Sequence, residues 1–109
     1  MSYCIVLSTS NSQEEADKIA GMLLESRIAS CVQMTPIVSL YHWKGKIERE
    51  NEIQLLIKTK DALYPAVESL IRKNHSYQVP QIIKVPINTG LPEYLEWISE
   101  ETHNYSMKN

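Results

Sequence analysis

The densest group of side chains able to do chemistry is Tyr41-His42-Trp43, immediately before the segment Lys44-Gly45-Lys46. Tyr41 and Trp43 are two residues apart, so on a β-strand their side chains share one face. Aromatic walls of this kind are typical of clefts that bind small planar molecules. Because Tyr and Trp are also enriched at protein interfaces, packing between subunits is the competing interpretation.

Three other features offer candidate metal ligands. His75 follows a predicted helix in what we expect to be an exposed loop, and neutral imidazole binds copper or zinc. A histidine at the end of a helix is also favoured by the helix dipole alone. Cys31 offers a soft-metal ligand, a redox-sensitive thiol or simply a small buried side chain. Carboxylates alternate on one predicted strand face, where they attract divalent ions or keep a strand edge solvated: Glu48, Glu50 and Glu52.

The composition restricts the class of protein. The 109 residues predict one domain, 1–109, with 102–109 as a polar, frayed tail. An apolar content of 43% excludes a disordered chain, and a net charge of -2 without a basic stripe argues against nucleic acid as the main partner. No segment reaches the roughly 20 apolar residues of a membrane helix. Two cysteines without a Cys-x-x-Cys pair, and the lack of a basic leader, predict a cytoplasmic protein.

The first half of the chain predicts a strand, a helix and a hairpin. An apolar strand covers residues 3–9, and Ser12 with Glu15 three residues later then matches a helix capping box. Residues 29–43 and 47–60 predict the arms of a hairpin that turns at Gly45, because glycine readily takes the positive φ of such a turn. Pro36 cannot donate a ladder hydrogen bond, so we expect a bulge or bend there.

The second half predicts a helix capped by Asp61 with Pro65 in its first turn, a short strand over residues 82–87 and a third helix from Pro92. The order β-α-β-β-α-β-α is that of an α+β, ferredoxin-like sandwich with an extra C-terminal helix and a long central hairpin. Right-handed crossovers place both main helices on one face of the sheet. The bare face, and hairpin arms of roughly 40 Å at about 3.3 Å per residue, both predict cover by other subunits.

Five segments together resemble the CutA divalent-cation-tolerance family. They occur in the family's order and span about residues 3–101. The resemblance implies a ferredoxin-like protomer in a compact homotrimer whose hairpins wrap neighbouring subunits, a fold shared with trimeric signalling proteins of the nitrogen-regulatory type. The matching segments are 27–32 (RIASCV), 39–46 (SLYHWKGK), 52–59 (EIQLLIKT), 75–83 (HSYQVPQII) and 92–98 (PEYLEWI).

The resemblance also implies a role in tolerance of copper and other divalent ions. The positions that match the family's copper ligands are Ser8, Asn74 and His75, so only one of the three is an imidazole here. Gln81 stands where members carry a glutamate, which favours a neutral or anionic ligand in the family's pocket. The residues matched to that pocket would form an aromatic-walled cleft with one ammonium and one amide: Tyr41, Trp43, Lys58, Tyr77, Gln81 and Trp97.

No catalytic motif is visible, since the chain lacks a phosphate loop, a Gly-x-Ser-x-Gly elbow and a His-Glu-x-x-His pair. The sequence therefore predicts a non-enzymatic homotrimer that acts in divalent-metal tolerance. Copper or another divalent cation is the candidate ligand, with His75 and Cys31 as candidate metal-binding residues. Two alternatives remain open: a signalling trimer that senses a small anionic ligand in intersubunit clefts, and a trimeric scaffold that anchors a partner protein.

Overall fold

The computed structural model describes residues 1–103, which fold into four strands and three α-helices in the predicted order. The strands are β1 (Tyr3–Ser10), β2 (Cys31–Trp43), β3 (Lys46–Lys60) and β4 (Ile82–Ile87). The helices are α1 (Gln13–Glu25), α2 (Tyr64–Asn74) and α3 (Pro92–Glu100), and a short 3-10 turn over Asp61–Leu63 precedes α2.

The strands form one antiparallel sheet in the order β2-β3-β1-β4, which is the predicted ferredoxin-like arrangement. Residues opposite each other on neighbouring strands share a face of the sheet. The pair Val6 and Ile57 therefore points to one side, and the pair Leu7 and Leu56 points to the other. These two faces have different environments.

The hydrophobic core lies between the first of these faces and the helices α1 and α2. Apolar residues recur at helical spacing on both helices and at every second position on the central strands, as the sequence periodicity predicts. Each fully buried aliphatic side chain stabilises the fold by about 1.5–3 kcal/mol. The largest of these core side chains are Ile19, Leu23, Leu55, Ile57, Ile71, Val6 and Val67.

Neither α1 nor α2 covers the second face of the sheet, which we call the open face. Its central side chains Ile5, Leu7 and Leu56 are only partly buried, and Ile83 and Val85 on β4 are exposed. An apolar surface of this kind on a soluble protein usually marks an interaction site. The bare face that the sequence predicted is therefore present in the single chain.

The β2–β3 hairpin is regular along its whole length. All 13 residues of β2 pair with β3 without a gap, so the bulge expected at Pro36 is absent. Pro36 lies opposite Ile53 on an edge strand, where one side of the backbone needs no ladder partner. The turn takes positive φ at both Lys44 (52°) and Gly45 (81°), as a tight hairpin turn requires.

The helix starts agree with the sequence prediction at α1 and differ at α2. The Ser12 hydroxyl accepts a hydrogen bond from the Glu15 backbone N–H, as the capping box predicted. The prediction that Asp61 caps α2 is wrong, because Asp61 opens the 3-10 turn and no side chain caps the helix. Pro65 does lie in the first turn of α2, where its missing N–H costs nothing.

The end of α3 is fixed to the rest of the fold. The Lys60 ammonium is buried and lies 3.4 Å from the carbonyl oxygens of Ser99 and Thr102, and burial lowers the pKa of this lysine. Thr102 is itself buried, and the backbone N–H of His103 donates to the carbonyl of Arg27. The prediction of a frayed tail from residue 102 is thus wrong for 102–103, and its remainder, 104–109, lies outside the described residues.

Candidate ligand-binding cleft

A cleft of about 800 Å³ lies where the β2–β3 hairpin faces the loop of residues 75–81. Strand β2 contributes Tyr41 and Trp43, and the loop contributes Tyr77 and Gln81. These four residues belong to the set of six that the sequence assigned to a pocket. Within one chain the structure therefore brings the predicted aromatic walls and the predicted amide together.

The other two predicted pocket residues lie elsewhere in the chain. Lys58 is further along β3, where its Nζ donates to Gln33 Oε1 at 2.6 Å. Trp97 is on α3, with its ring stacked on Tyr94 at a centroid distance of 5.6 Å. The cleft of a single chain consequently lacks the ammonium on which the expectation of an anionic ligand depended.

The three glutamates that alternate on one face of β3 line the cleft, a position that their alternation alone did not predict. Glu48, Glu50 and Glu52 share one face of β3 because strand side chains alternate, and Glu48 lies directly opposite Tyr41. Glu52 is only 7% exposed. The register of the hairpin across Gly45 was the available signal, since it places the alternating glutamates on the same face as the alternating aromatics.

Tyr77 joins the loop to this row of carboxylates. Its hydroxyl lies 2.6 Å from Glu52 Oε2 and 3.2 Å from Glu50 Oε1. Burial, the hydrogen bond to Glu52 and the nearby negative charges raise the pKa of Tyr77 well above its usual range. Tyr41 responds in the same direction, because partial burial and then Glu50 raise the pKa of its phenol. Both phenols therefore stay protonated beside the carboxylates.

His75 anchors the loop and is not free to bind a metal in this conformation. Its side chain is 0% exposed, so the expectation of an exposed loop histidine is wrong. Nε2 lies 2.6 Å from the Thr9 carbonyl oxygen, and Nδ1 accepts the Tyr77 backbone N–H at 3.0 Å. These partners assign the ring proton to Nε2 and occupy the Nδ1 lone pair. Both ring nitrogens are engaged.

Glu15 completes the attachment of the loop to α1. Its carboxylate accepts hydrogen bonds from the Ser76 backbone N–H at 3.0 Å and from the Ser10 hydroxyl at 2.8 Å. Although burial opposes the effect, these hydrogen bonds lower the pKa of Glu15. The loop that carries Tyr77 is thus held from both the helix and the sheet.

The donors of one chain do not fit a copper site. Ser8 is buried, and the Asn74 amide donates to the Leu70 carbonyl at 2.8 Å. Cys31 is partly exposed opposite Lys58 on the open face. Among residues 1–103, no group of three or more His, Cys, Asp or Glu side chains is placed to hold a metal ion. A complete ligand set would need residues from more than one copy of the chain.

The antiparallel ferredoxin-like sheet, its long hairpin and the adjoining cleft define an α+β protein with an interaction face. A sequence profile of the family described as "CutA1 divalent ion tolerance protein" matches residues 4–101. This chain therefore belongs to the CutA1 divalent ion tolerance family, as its sequence resemblance implied.

Individual relatives agree with this assignment. "Protein CutA" of Mus musculus is 39% identical over 99 residues, which cover 90% of this chain and 56% of the mouse protein. The structure of the "Periplasmic divalent cation tolerance protein CutA" from Archaeoglobus fulgidus superposes with a TM-score of 0.91 at 39% identity, covering 93% of this chain and 99% of that one. "Protein CutA, chloroplastic" of Arabidopsis thaliana is 36% identical over 101 residues.

These relatives also bear on length and location. The match to the Arabidopsis protein covers 92% of this chain but only 56% of that protein. The chain therefore spans about half the length of the mouse and plant relatives. The cytoplasmic location predicted from the two cysteines and the lack of a basic leader is overturned, because members of this family are named periplasmic and chloroplastic. Within residues 1–103 no helix is long and apolar enough to cross a membrane.

Proposed function

We propose that this protein acts in divalent-cation tolerance, copper included, as a homotrimer that catalyses no reaction. The match to the CutA1 family over residues 4–101 carries the proposal. The relatives' names supply the link to divalent cations. The proposal assigns no catalytic step, because the sequence contains none of the common catalytic motifs.

The open face supports self-association as the basis of this function. Side chains at the middle and tip of the hairpin, such as Leu40 and Ile47, are exposed although they are apolar, and Ile47 is 70% exposed. Leu40 and Ile47 lie on the face opposite to Leu56 and Ile83, so apolar surface remains accessible on both faces of the sheet, more than an isolated soluble chain usually leaves in water. A symmetric assembly would bury this surface.

Metal binding belongs to the assembled protein in this proposal. Because residues 1–103 of one chain hold no ligand set and both His75 nitrogens are engaged, we expect the copper ligands to come from more than one subunit. A calorimetric copper(II) titration of the tag-free protein tests this. We expect saturable binding that survives His75→Ala and is lost in a variant that no longer assembles. Loss of binding in His75→Ala with the trimer intact, or no saturable binding to the wild type, would contradict it.

The tolerance role itself is tested by complementation. A strain that lacks its own CutA protein should regain growth on elevated copper(II) when it expresses this chain, and an assembly-deficient variant expressed at the same level should not restore growth. Growth equal to that with an empty vector, at confirmed expression of the wild type, would argue against a role in tolerance.

A second candidate function is the binding of a small effector molecule. The cleft of about 800 Å³ favours it, because a cavity of this size with aromatic walls and a few polar groups is typical of small-molecule sites. In this function the loop of residues 75–81 responds to the ligand, since Tyr77 is both a wall of the cleft and a member of the loop.

A further inference from the structure

We propose that the cleft binds a small primary alkylammonium ion, which its carboxylates and aromatic rings recognise together. This inference rests on the second candidate function above, and it specifies the ligand class. It differs from the sequence expectation of a neutral or anionic ligand.

The first ground is charge. Three glutamates line the cleft, and no Lys, Arg or His is among the described residues that line it. None of the ion pairs within residues 1–103 involves Glu48, Glu50 or Glu52. The lining of the cleft, as far as residues 1–103 show, is therefore negative, and the nearest ammonium groups, on Lys44 beside Trp43 and on Lys46 opposite it, belong to the hairpin turn outside the lining.

The second ground is the burial of Glu52. This side chain is more than nine-tenths buried, yet its hydrogen-bond partner is the neutral Tyr77 hydroxyl. A buried carboxylate is costly unless a positive charge compensates it. Tyr77 also has a single hydroxyl proton, which cannot satisfy both Glu52 and Glu50 at once. An ammonium group supplies the missing charge and up to three additional N–H donors.

The third ground is the aromatic lining, which favours an alkylammonium over a metal ion. No metal-binding cluster exists among residues 1–103, so a hard ion would find too few ligands. The faces of aromatic rings attract organic cations and pack against their alkyl groups. Trp43 already contacts an ammonium of its own chain, since Lys44 Nζ lies 5.7 Å from its ring centroid. Tyr41 and Tyr77 present further rings around the carboxylates.

Three probes of one chain length separate charge from shape: n-butylammonium, n-butanol and butyrate. Their binding to the full chain is followed by two-dimensional amide NMR at neutral pH. We expect saturable shifts at Tyr77 and Trp43 for n-butylammonium alone. Glu52→Gln should weaken this binding tenfold or more, whereas Glu93→Gln, an exposed carboxylate on α3, should leave it unchanged. Glu50→Gln repeats the test at a less buried position in case Glu52→Gln disturbs folding.

Several results would overturn the proposal. An equal response to butanol or butyrate would show that charge does not select the ligand, and unchanged binding in both glutamine variants would place the site elsewhere. If n-butylammonium causes no saturable shift, the cleft does not bind it, and a basic side chain of a neighbouring copy becomes the candidate partner of the carboxylates. The proposed function is tested separately, by the mass of the assembly in the same samples and by the copper complementation. Failure of ammonium binding in an intact, tolerance-restoring trimer would therefore overturn this inference alone.

Discussion

His75 shows how a single side chain determines the position of a loop. Its two ring nitrogens connect the end of β1 at Thr9 to the backbone of Tyr77, and its ring packs at 4.8 Å from the Tyr77 ring. Tyr77 in turn reaches Glu52 across the cleft. The histidine thus acts on the cleft through the loop rather than as a ligand.

Replacing His75 with alanine should lower the free energy of unfolding by about 1–3 kcal/mol, because two buried hydrogen-bond partners lose their acceptor or donor. Urea titrations of the two proteins at equal concentration measure the difference. His42→Ala is the matched control, since His42 is exposed on β2 and should change stability by less than about 0.5 kcal/mol. Equal effects of the two substitutions would contradict the anchoring role.

Cys4 makes stability depend on alkaline pH. Burial, followed by the charge and hydrogen bond of Asp61, raises the pKa of this thiol from 9.0 to about 12. Because the folded pKa exceeds the unfolded one, the stabilisation is complete below pH 9 and is lost as the pH rises towards 12. In this window we expect the free energy of unfolding to fall with pH more steeply in the wild type than in Cys4→Ala, by up to about 1.4 kcal/mol per pH unit, which corresponds to one proton. If the free energy of unfolding depends on pH in the same way in the wild type and in Cys4→Ala, the buried thiol is not the cause. Cys31→Ala is the control and should keep the wild-type pH dependence.

Residue types predicted part of the cleft, and the remainder depended on tertiary placement. Tyr41 and Trp43 were identified because alternation on a strand is a local property. Alternation also grouped the glutamates of β3, but it could not show that the Tyr77 loop crosses that face of the hairpin. Lys58 was expected in the pocket, but it lies further along β3 on the open face, away from the cleft of its own chain.

At the scale of the elements, the hairpin depends on its turn. Gly45→Ala should lower the free energy of unfolding by about 1–2 kcal/mol, because its φ of 81° disfavours a side chain even though no atom lies within 4 Å of the added Cβ. Gly21→Ala is the matched control in the middle of α1, also with nothing within 4 Å. Gly21→Ala should raise the free energy of unfolding by about 0.5–1 kcal/mol, since alanine favours the helix. Thermal unfolding of both variants decides, and effects of the same sign would contradict this account.

Element boundaries were predictable where local chemistry sets them. Ser12 begins α1, and β4 covers the predicted residues 82–87, because capping and apolar alternation act over a few positions. The two errors, at Pro36 and Asp61, share a cause. An edge strand tolerates proline only because of its place in the sheet, and a 3-10 turn before α2 depends on how β3 ends; neither is encoded in the local pattern.

At the scale of the whole molecule, one chain leaves an imbalance between its two sheet faces. The helix-covered face buries its aliphatic side chains fully, while the open face leaves Leu7 and Leu56 half-buried at its centre. The third helix, α3, meets Lys60 at the end of β3 on that face, but it leaves Leu7 and Leu56 only partly buried. The association with further copies proposed above would cover the open face and the exposed hairpin.

Leu56→Glu tests this association directly. Leu56 lies opposite Leu7 on β1 and Gln33 on β2, at the centre of the open face. If subunits cover this face, the new carboxylate loses its hydration in the interface, and this cost of several kcal/mol should reduce the trimer to monomers in sedimentation velocity even though Lys58 lies near it on the same face. Leu24→Glu introduces the same charge at a 42% exposed position on α1 and should leave the trimer intact. Because an assembled chain gains stability with concentration, the wild-type melting temperature should also rise with protein concentration, whereas that of Leu56→Glu should not. A wild type that sediments as a monomer, or a Leu56→Glu protein that stays trimeric, would show that the open face is not the interface between subunits.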